Sequence, residues 1–229
     1  MINGEKKEDY IMNISKPTLE VLKNFATINT NILVREGSTL ATISNGKNIF
    51  SRATVGETFS KEFAIYDLNS LLGLLTFTED PDLDLGDESL KINSGNAEFE
   101  YFYADPSIIV AAPDRTIEVD NFYEFELSKD EIVNITRAAS VINAPVLSVV
   151  GRDGKVTLSV GDPSTPRSNT FRQVIGETDQ EFDCRLAVEN FKVIAGDYRV
   201  VLSQKKFMFL DNKAADLKYW LALEPNSTI

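Results

Sequence analysis

The spacing of apolar positions along the chain predicts four helices set among many short strands. From Ser15 to about Asn29, Leu19, Leu22, Phe25 and Ile28, with Val21 and Ala26, fill one broad side of a helix, while Lys16, Glu20, Lys23, Asn24 and Thr27 fall on the other. Ser15 stands at a cap position, Pro17 at an early helical position and Glu20 in the first turn. A third helix, Ser128 to about Ile142, carries Ile132, Ile135, Ala139 and Ile142 on one side and Lys129, Val133, Thr136, Arg137 and Ser140 on the other. The second and fourth helices are predicted over Asp67 to Phe77 and Ala187 to Ala195. Between them run short alternating segments, among them Ile32 to Glu36, Leu40 to Ser44, Ile49 to Thr54, Thr58 to Ile65, Ala97 to Tyr103, Val146 to Val150, Val156 to Val160, Phe171 to Ile175, Arg199 to Ser203 and Leu217 to Ala222. Asn45-Gly46 and Asp153-Gly154 have the chemistry of two-residue hairpin turns.

The pattern repeats. Ile14-Ser15-Lys16, followed by Leu19, Leu22 and Ala26, is answered by Leu127-Ser128-Lys129, followed by Ile132, Ile135 and Ala139, at a constant offset of 113. Glu62-Phe63 ahead of the second helix matches Glu181-Phe182 ahead of the fourth at an offset of 119. Phe99, Tyr101, Phe102 and Ala104 match Leu217, Tyr219, Trp220 and Ala222 at 118, and each set is followed by an acid and a proline, Asp105-Pro106 and Glu224-Pro225. The expectation is an α+β chain of two duplicated domains, each mostly antiparallel sheet with two helices on one face. Domain 1 spans 14–104, a connector containing Pro106 and Pro113 spans 105–121, and domain 2 spans 122–229; the polar residues 1–13 are expected as a flexible leader.

Composition narrows the function. The 23 Lys and Arg against 35 Asp and Glu leave a formal charge of −12, which argues against coating nucleic acid or an anionic membrane by bulk charge. Any DNA contact must come from a local patch. The chain has no histidine, which removes Ser-His and Cys-His nucleophile pairs, a histidine general base and ordinary zinc or haem sites. One cysteine, Cys184, excludes an intramolecular disulfide and suits a reducing compartment; its alternating surroundings predict a core thiol. Without a signal-like leader or a run of about 18 apolar residues, the expectation is a soluble intracellular protein with no membrane partner.

The acid-rich run Glu79 to Glu88 resembles a metal loop only superficially. Counted from Asp80, the sixth position that should be glycine is Leu85, and the alternation of Asp82, Leu83, Asp84 and Leu85 suits a half-buried strand. Neither a metal nor another cofactor is expected. The sequon Asn226-Ser227-Thr228 carries little meaning without a secretory route. The helices carry five bases, Lys16, Lys23, Lys129, Arg137 and Lys192, against the five acids Glu20, Asp67, Asp130, Glu131 and Glu189, so the net negative charge lies elsewhere. These are either ordinary solvated faces or near-neutral faces turned to a polyanion that the acidic sheets repel.

Leu22-Lys23-Asn24-Phe25-Ala26-Thr27-Ile28-Asn29 and Ala64-Ile65-Tyr66-Asp67-Leu68-Asn69-Ser70-Leu71 resemble the sliding clamps of T4-type bacteriophages, and weaker similarity runs from about Ile14 to the end. The resemblance implies a clamp fold with the helices inside a six-domain ring, and therefore a homotrimer of this two-domain chain. It implies a non-catalytic processivity factor that encircles double-stranded DNA without reading its sequence, is placed there by a clamp loader and tethers the DNA polymerase. The setting would be the cytoplasm of an infected bacterium. Carried over to this chain, the DNA-facing residues are Lys16, Lys23, Lys129, Arg137 and Lys192, making weak phosphate contacts. The second helix departs from this pattern in having no base. A client-peptide pocket would fall on Ile108, Ile109, Val110 and Pro113, with Leu223 and Pro225 of the chain end nearby; an apolar connector packed onto the sheet is the equal alternative. A different class of reading is a virion or structural assembly protein built from the same duplicated domain without DNA encirclement. An enzyme limited to carboxylate or hydroxyl chemistry ranks third, since no acid pair at a defined spacing supports it.

Overall fold

The computed structural model describes residues 11–77, 81–115 and 117–229. The expected leader lies outside the described residues up to residue 10, as do Glu79 and Asp80 of the acid-rich run. The chain divides into two compact units, one holding the chain up to Thr42 with Ala53–Ala112, the other Ile43–Arg52 with Pro113–Ile229.

The first unit runs β1 (Ile11–Met12), α1 (Lys16–Ile28), β2 (Ile32–Val34), β3 (Gly37–Ile43), β4 (Ile49–Phe59), β5 (Phe63–Ile65), α2 (Leu68–Phe77), β6 (Asp82–Leu85), β7 (Ser89–Ser94) and β8 (Ala97–Phe102). Ile11 and Met12, read as leader from sequence, are paired with β6. One antiparallel sheet has the order β1-β6-β7-β8, and β2 pairs with β5. In β6, Leu83 and Leu85 are buried and Asp82 is exposed, the half-buried strand that the alternation predicted. Two expected strands over 49–65 are instead one long β4 followed by β5. The helices α1 and α2 pack on each other, and Leu22, Phe25, Leu68, Leu71, Leu72 and Leu75 enter the core with Ile65 and Ile92.

The second unit runs β9 (Tyr123–Leu127), α3 (Lys129–Val141), β10 (Val146–Arg152), β11 (Lys155–Gly161), β12 (Phe171–Glu177), β13 (Phe182–Ala187), a 3-10 turn (Val188–Asn190), β14 (Tyr198–Ser203), β15 (Phe207–Asn212) and β16 (Leu217–Ala222). Its sheets have the orders β12-β11-β10-β13 and β9-β14-β15-β16, and the hairpin tip of residues 43–52 lies against β16. Asp153 and Gly154 both have positive φ, 51° and 77°, as the two-residue turn requires. The other predicted hairpin differs: Lys47, at φ 57°, turns the chain, and the Ser44 hydroxyl accepts from the N–H groups of Asn48 and Ile49.

Element order and pairing both repeat. A strand, a helix, four strands, a helical segment and three strands occur twice, and the order β1-β6-β7-β8 returns as β9-β14-β15-β16. Ser15 and Ser128, the residues that set the offset of 113, both cap helices of 13 residues. The fourth expected helix is a correction, because only the 3-10 turn Val188–Asn190 forms there. A helix would need the Ile194 N–H to bond the carbonyl of Asn190. Instead it donates to the Tyr219 hydroxyl at 3.2 Å, while the Ile194 carbonyl accepts from Tyr198 at 2.8 Å. The Asn190 side chain is held by Asn48 at 2.9 Å. Among its described residues the second unit therefore has one α-helix where two were expected.

Candidate nucleic-acid interface

The start of α1 is fixed from the neighbouring strand. The Ser15 side chain accepts from the Thr18 N–H at 3.5 Å, and Glu57 of β4 accepts from the Ser15 N–H at 2.5 Å and from the Thr18 hydroxyl. Burial alone would raise the Glu57 carboxyl, but the hydrogen bonds from Thr18 and Ser15 outweigh it and hold the group below its ordinary 4.5. With the apolar side committed to the core, Lys16, Glu20, Lys23 and Thr27 are exposed. Lys16 and Lys23 are seven residues apart, about two turns and roughly 10 Å along one face.

The exposed side of α2 is uncharged, consisting of Asn69, Ser70, Gly73, Thr76 and Phe77. Its entry is held by the Asp67 carboxylate, which accepts from the Ser70 N–H at 3.1 Å. In α3, Ser128 and Glu131 form a reciprocal capping box, and the Lys129 N–H donates to Asp197 at 2.7 Å. Gln173 of β12 donates to Glu131 at 2.7 Å, which locks the first turn to the sheet. Lys129, Val133, Thr136, Arg137 and Ser140 are all exposed, as the periodicity predicted.

The side chains of Lys16, Lys23, Lys129 and Arg137 form no ion pair among the described residues. Their charge is therefore available to a ligand. Lys192 stands apart from these four: it follows the 3-10 turn in an irregular segment and is half-buried. The structure brings Lys16 and Lys23 together on α1, and Lys129 and Arg137 together on α3.

The first half of the connector is ordered by polar contacts. Asp105 accepts from the Ser107 N–H at 2.8 Å and starts a 3-10 turn over Pro106–Ile108. Asn29 donates to the Val110 carbonyl at 3.2 Å, and Arg35 donates to that of Ala112 at 2.9 Å. Ile108 is 61% exposed and Val110 is exposed, with Ile109 half-buried between them. In the second unit Pro113 is half-buried, Leu223 is buried and Pro225 is exposed. Leu223 is thus part of the core, and its N–H donates to the Lys206 carbonyl at 2.9 Å.

Two features were missed from sequence. The outer strands β8 and β12 have no strand partner on one side among the described residues, and each shows a large apolar residue there: Phe102 is 66% exposed and Val174 is 59% exposed. Phe77 and Val141, on the last residues of α2 and α3, are also exposed, and Phe77 packs edge-on against Phe99 of β8. Edge status depends on which strands pair, so strand alternation alone could not reveal it. Cys184 is fully buried, and burial with the nearby Asp183 pushes its thiol up to about 12, as befits a core residue. Among the described residues no three His, Cys, Asp or Glu side chains are grouped to hold a metal.

Known proteins share both sequence and fold with this chain. The family model for DNA polymerase processivity factors matches residues 13–111. The sliding clamp of Vibrio phage KVP40 is 28% identical over 224 residues, covering 93% of this chain and 99% of that protein. The sliding clamp of Enterobacteria phage T4 is 27% identical over 228 residues, with 95% and 99% covered. Among solved structures, A. fulgidus PCNA bound to the C-terminal region of FEN-1 superposes with a TM-score of 0.72 at 14% identity, over 95% of this chain and 99% of that one. The repeated sheet order, the capped helices and these similarities agree: the chain has the fold of the clamps, is similar over nearly its full length to phage sliding clamps, and over residues 13–111 matches the DNA polymerase processivity factors.

Proposed function

We propose that three copies of this chain close into a ring around duplex DNA and tether the replicative polymerase during synthesis. The chain takes no chemical part of its own, a clamp loader places the ring on DNA, and the setting is the cytoplasm of an infected bacterium. The observation that carries this reading is that two outer strands, β8 and β12, each expose a large apolar residue, Phe102 and Val174. In the second unit the hairpin tip of residues 43–52 extends the sheet beside β16. The same kind of addition, β12 of one copy against β8 of the next, would cover Val174 and Phe102 and remove both edges by closing the assembly.

Duplex DNA would meet Lys16, Lys23, Lys129 and Arg137, the four bases on helix faces that form no ion pair among the described residues. Few, exposed and flexible cations suit a ring that must slide, because each tight phosphate contact would hold it in place. Lys192, half-buried beyond the 3-10 turn, is the least able of the proposed set to reach a phosphate. Client peptides would rest on the exposed Ile108 and Val110 beside Ile109 in the first unit; of the other expected pocket residues, all in the second unit, Pro113 is half-buried, Pro225 is exposed and Leu223 is core.

Sedimentation equilibrium tests the ring. A trimer of the 25.5 kDa chain has a mass of about 76 kDa. Phe102→Asp removes apolar burial worth about 2–3 kcal/mol, so each contact between copies should weaken roughly 30- to 140-fold. Rings loaded on closed circular DNA should survive high salt, whereas binding to linear fragments should fall steeply. A strict monomer at all concentrations, or equal salt sensitivity on circles and linear fragments, would rule out topological linkage.

A further inference from the structure

The β12-β11-β10-β13 sheet buries Leu147, Val149, Leu158 and Val160 on the side of α3 and turns a polar face the other way. There, Arg172, Ser159, Ser148 and Arg185 stand opposite one another in register across all four strands. Short side chains on β10 and β11 make a floor between two arginine walls about three strand spacings, or roughly 14 Å, apart. The loop after β11 raises one wall. Asp162 ties it by accepting from Ser164 and Thr165, and a side chain at Gly161 would press on Thr170 at 3.1 Å, so the loop lies close to the sheet and carries Arg167. Two adjoining cavities of about 590 and 540 Å³ occupy the floor and share Ser148, Ser159, Pro163 and Arg172.

The polar groups here are unevenly satisfied. Asp162 is engaged by its own loop, and Asp183 accepts from both Nε and a terminal guanidinium nitrogen of Arg185, at 3.1 and 2.6 Å. Arg152, Lys155, Arg167 and Arg172 have no ion-pair partner among the described residues, and the hydroxyls of Ser148, Thr157 and Ser159 have no hydrogen-bond partner among them. A chain of net charge −12 thus keeps around one trough four cations, and on its floor three hydroxyls, that have no partner among the described residues.

We propose that this trough docks an extended acidic segment of a partner protein, its carboxylates meeting Arg167 and Arg172 along the wall and Arg152 and Lys155 at the β10–β11 turn. The seven residues of β10 span about 23 Å, room for a stretch of about six extended residues whose polar groups reach Ser148, Thr157 and Ser159. Nucleic acid fits less well. It carries a charge at every nucleotide, so a strand along the trough would set phosphates against Asp153, Asp162 and Asp183, whereas a peptide can space its carboxylates to miss them. The site lies on the sheet side opposite α3; Arg172 stands on β12, the strand that the proposed ring sets beside the next copy, whereas Arg152 and Lys155 are at the other end of the trough.

The test is fluorescence anisotropy of the full-length protein with a labelled hexapeptide alternating glutamate and serine, at low ionic strength. Arg167→Glu with Arg172→Glu should weaken binding at least about tenfold. Arg152→Glu with Lys155→Glu, at the far end of the trough and away from the β12 edge, should also weaken it, while Lys16→Glu with Lys23→Glu should not. Unchanged melting temperature and sedimentation of each variant would exclude misfolding as the cause. Failure of the peptide to bind, binding indifferent to both trough pairs, or a labelled single-stranded oligonucleotide binding through Arg167 and Arg172 where the peptide does not would each overturn the proposal.

Discussion

The two units begin alike and part at one place. Tyr101 and Tyr219 occupy matching positions of the repeat, and each sends its hydroxyl to the backbone of the segment where a second helix belongs. In the first unit Tyr101 bonds both the carbonyl and the N–H of Asp67, at 3.0 and 3.3 Å, and α2 begins at the next residue. In the second, Tyr219 takes the Ile194 N–H while Tyr198 donates to the Ile194 carbonyl, so both backbone groups of one residue are bonded to side chains. Bonds at a helix entry leave the i−4 ladder intact, but bonds inside the segment consume it. Composition points the same way, since five leucines and no β-branched residue precede Thr76 in α2. Val188, Val193 and Ile194 crowd the corresponding stretch.

The largest effect that tests this comparison is functional. Lys23→Glu with Arg137→Glu places an acid on each of α1 and α3, and product length on primed circular DNA should fall roughly tenfold while sedimentation stays unchanged. Either single change should give an intermediate loss, because each unit contributes its own helix. Unchanged product length with the double variant would mean that neither helix face meets DNA.

Smaller effects separate the tyrosines. Tyr219→Phe leaves the Ile194 N–H without its partner in a buried setting and should cost about 1–3 kcal/mol in urea unfolding. Tyr101→Phe, at a half-exposed hydroxyl where water can substitute, should cost about 0.5 kcal/mol. Equal costs would remove the distinction between an entry bond and an interior one. Next come the caps: Ser15→Ala and Ser128→Ala should each cost about 1 kcal/mol, with Ser128→Ala the larger because it also breaks the bond to Glu131.

The smallest effect concerns pH. The Glu57 carboxyl is lower in the folded chain than its ordinary 4.5, so its contribution to stability is present above the unfolded value and is lost as pH falls through the folded one. Melting followed from neutral to acid pH should therefore show a steeper loss below about 4.5 than Glu57→Gln shows. Superimposable acid limbs would mean that Glu57 does not anchor α1.

Much of this was legible beforehand because local physics writes it into the chain. The capped starts of α1 and α3 are carried by Ser15 and Ser128. Their exposed faces follow from helical periodicity, and the duplication follows from the matching offsets. The β10–β11 turn was readable from Asp153-Gly154, while at Asn45-Gly46 the hydroxyl of Ser44 imposed a longer turn instead. Strands such as Tyr123–Leu127 and Phe207–Asn212 escaped the sequence reading, since they are short and their burial depends on partners far along the chain.

By itself, the sequence determined the strand-and-helix repeat, the absence of histidine chemistry and the few basic residues on two helix faces, all of which depend on near neighbours. Tertiary structure alone decided which strands lie at open edges, that Leu223 is core while Ile108 is exposed, and that the fourth helical segment stops after one turn. Each of those outcomes turns on a contact made from a distant part of the chain. The register that aligns Arg172, Ser159, Ser148 and Arg185 is of the same kind, because a one-residue slip in any strand would send its member of the row to the opposite face.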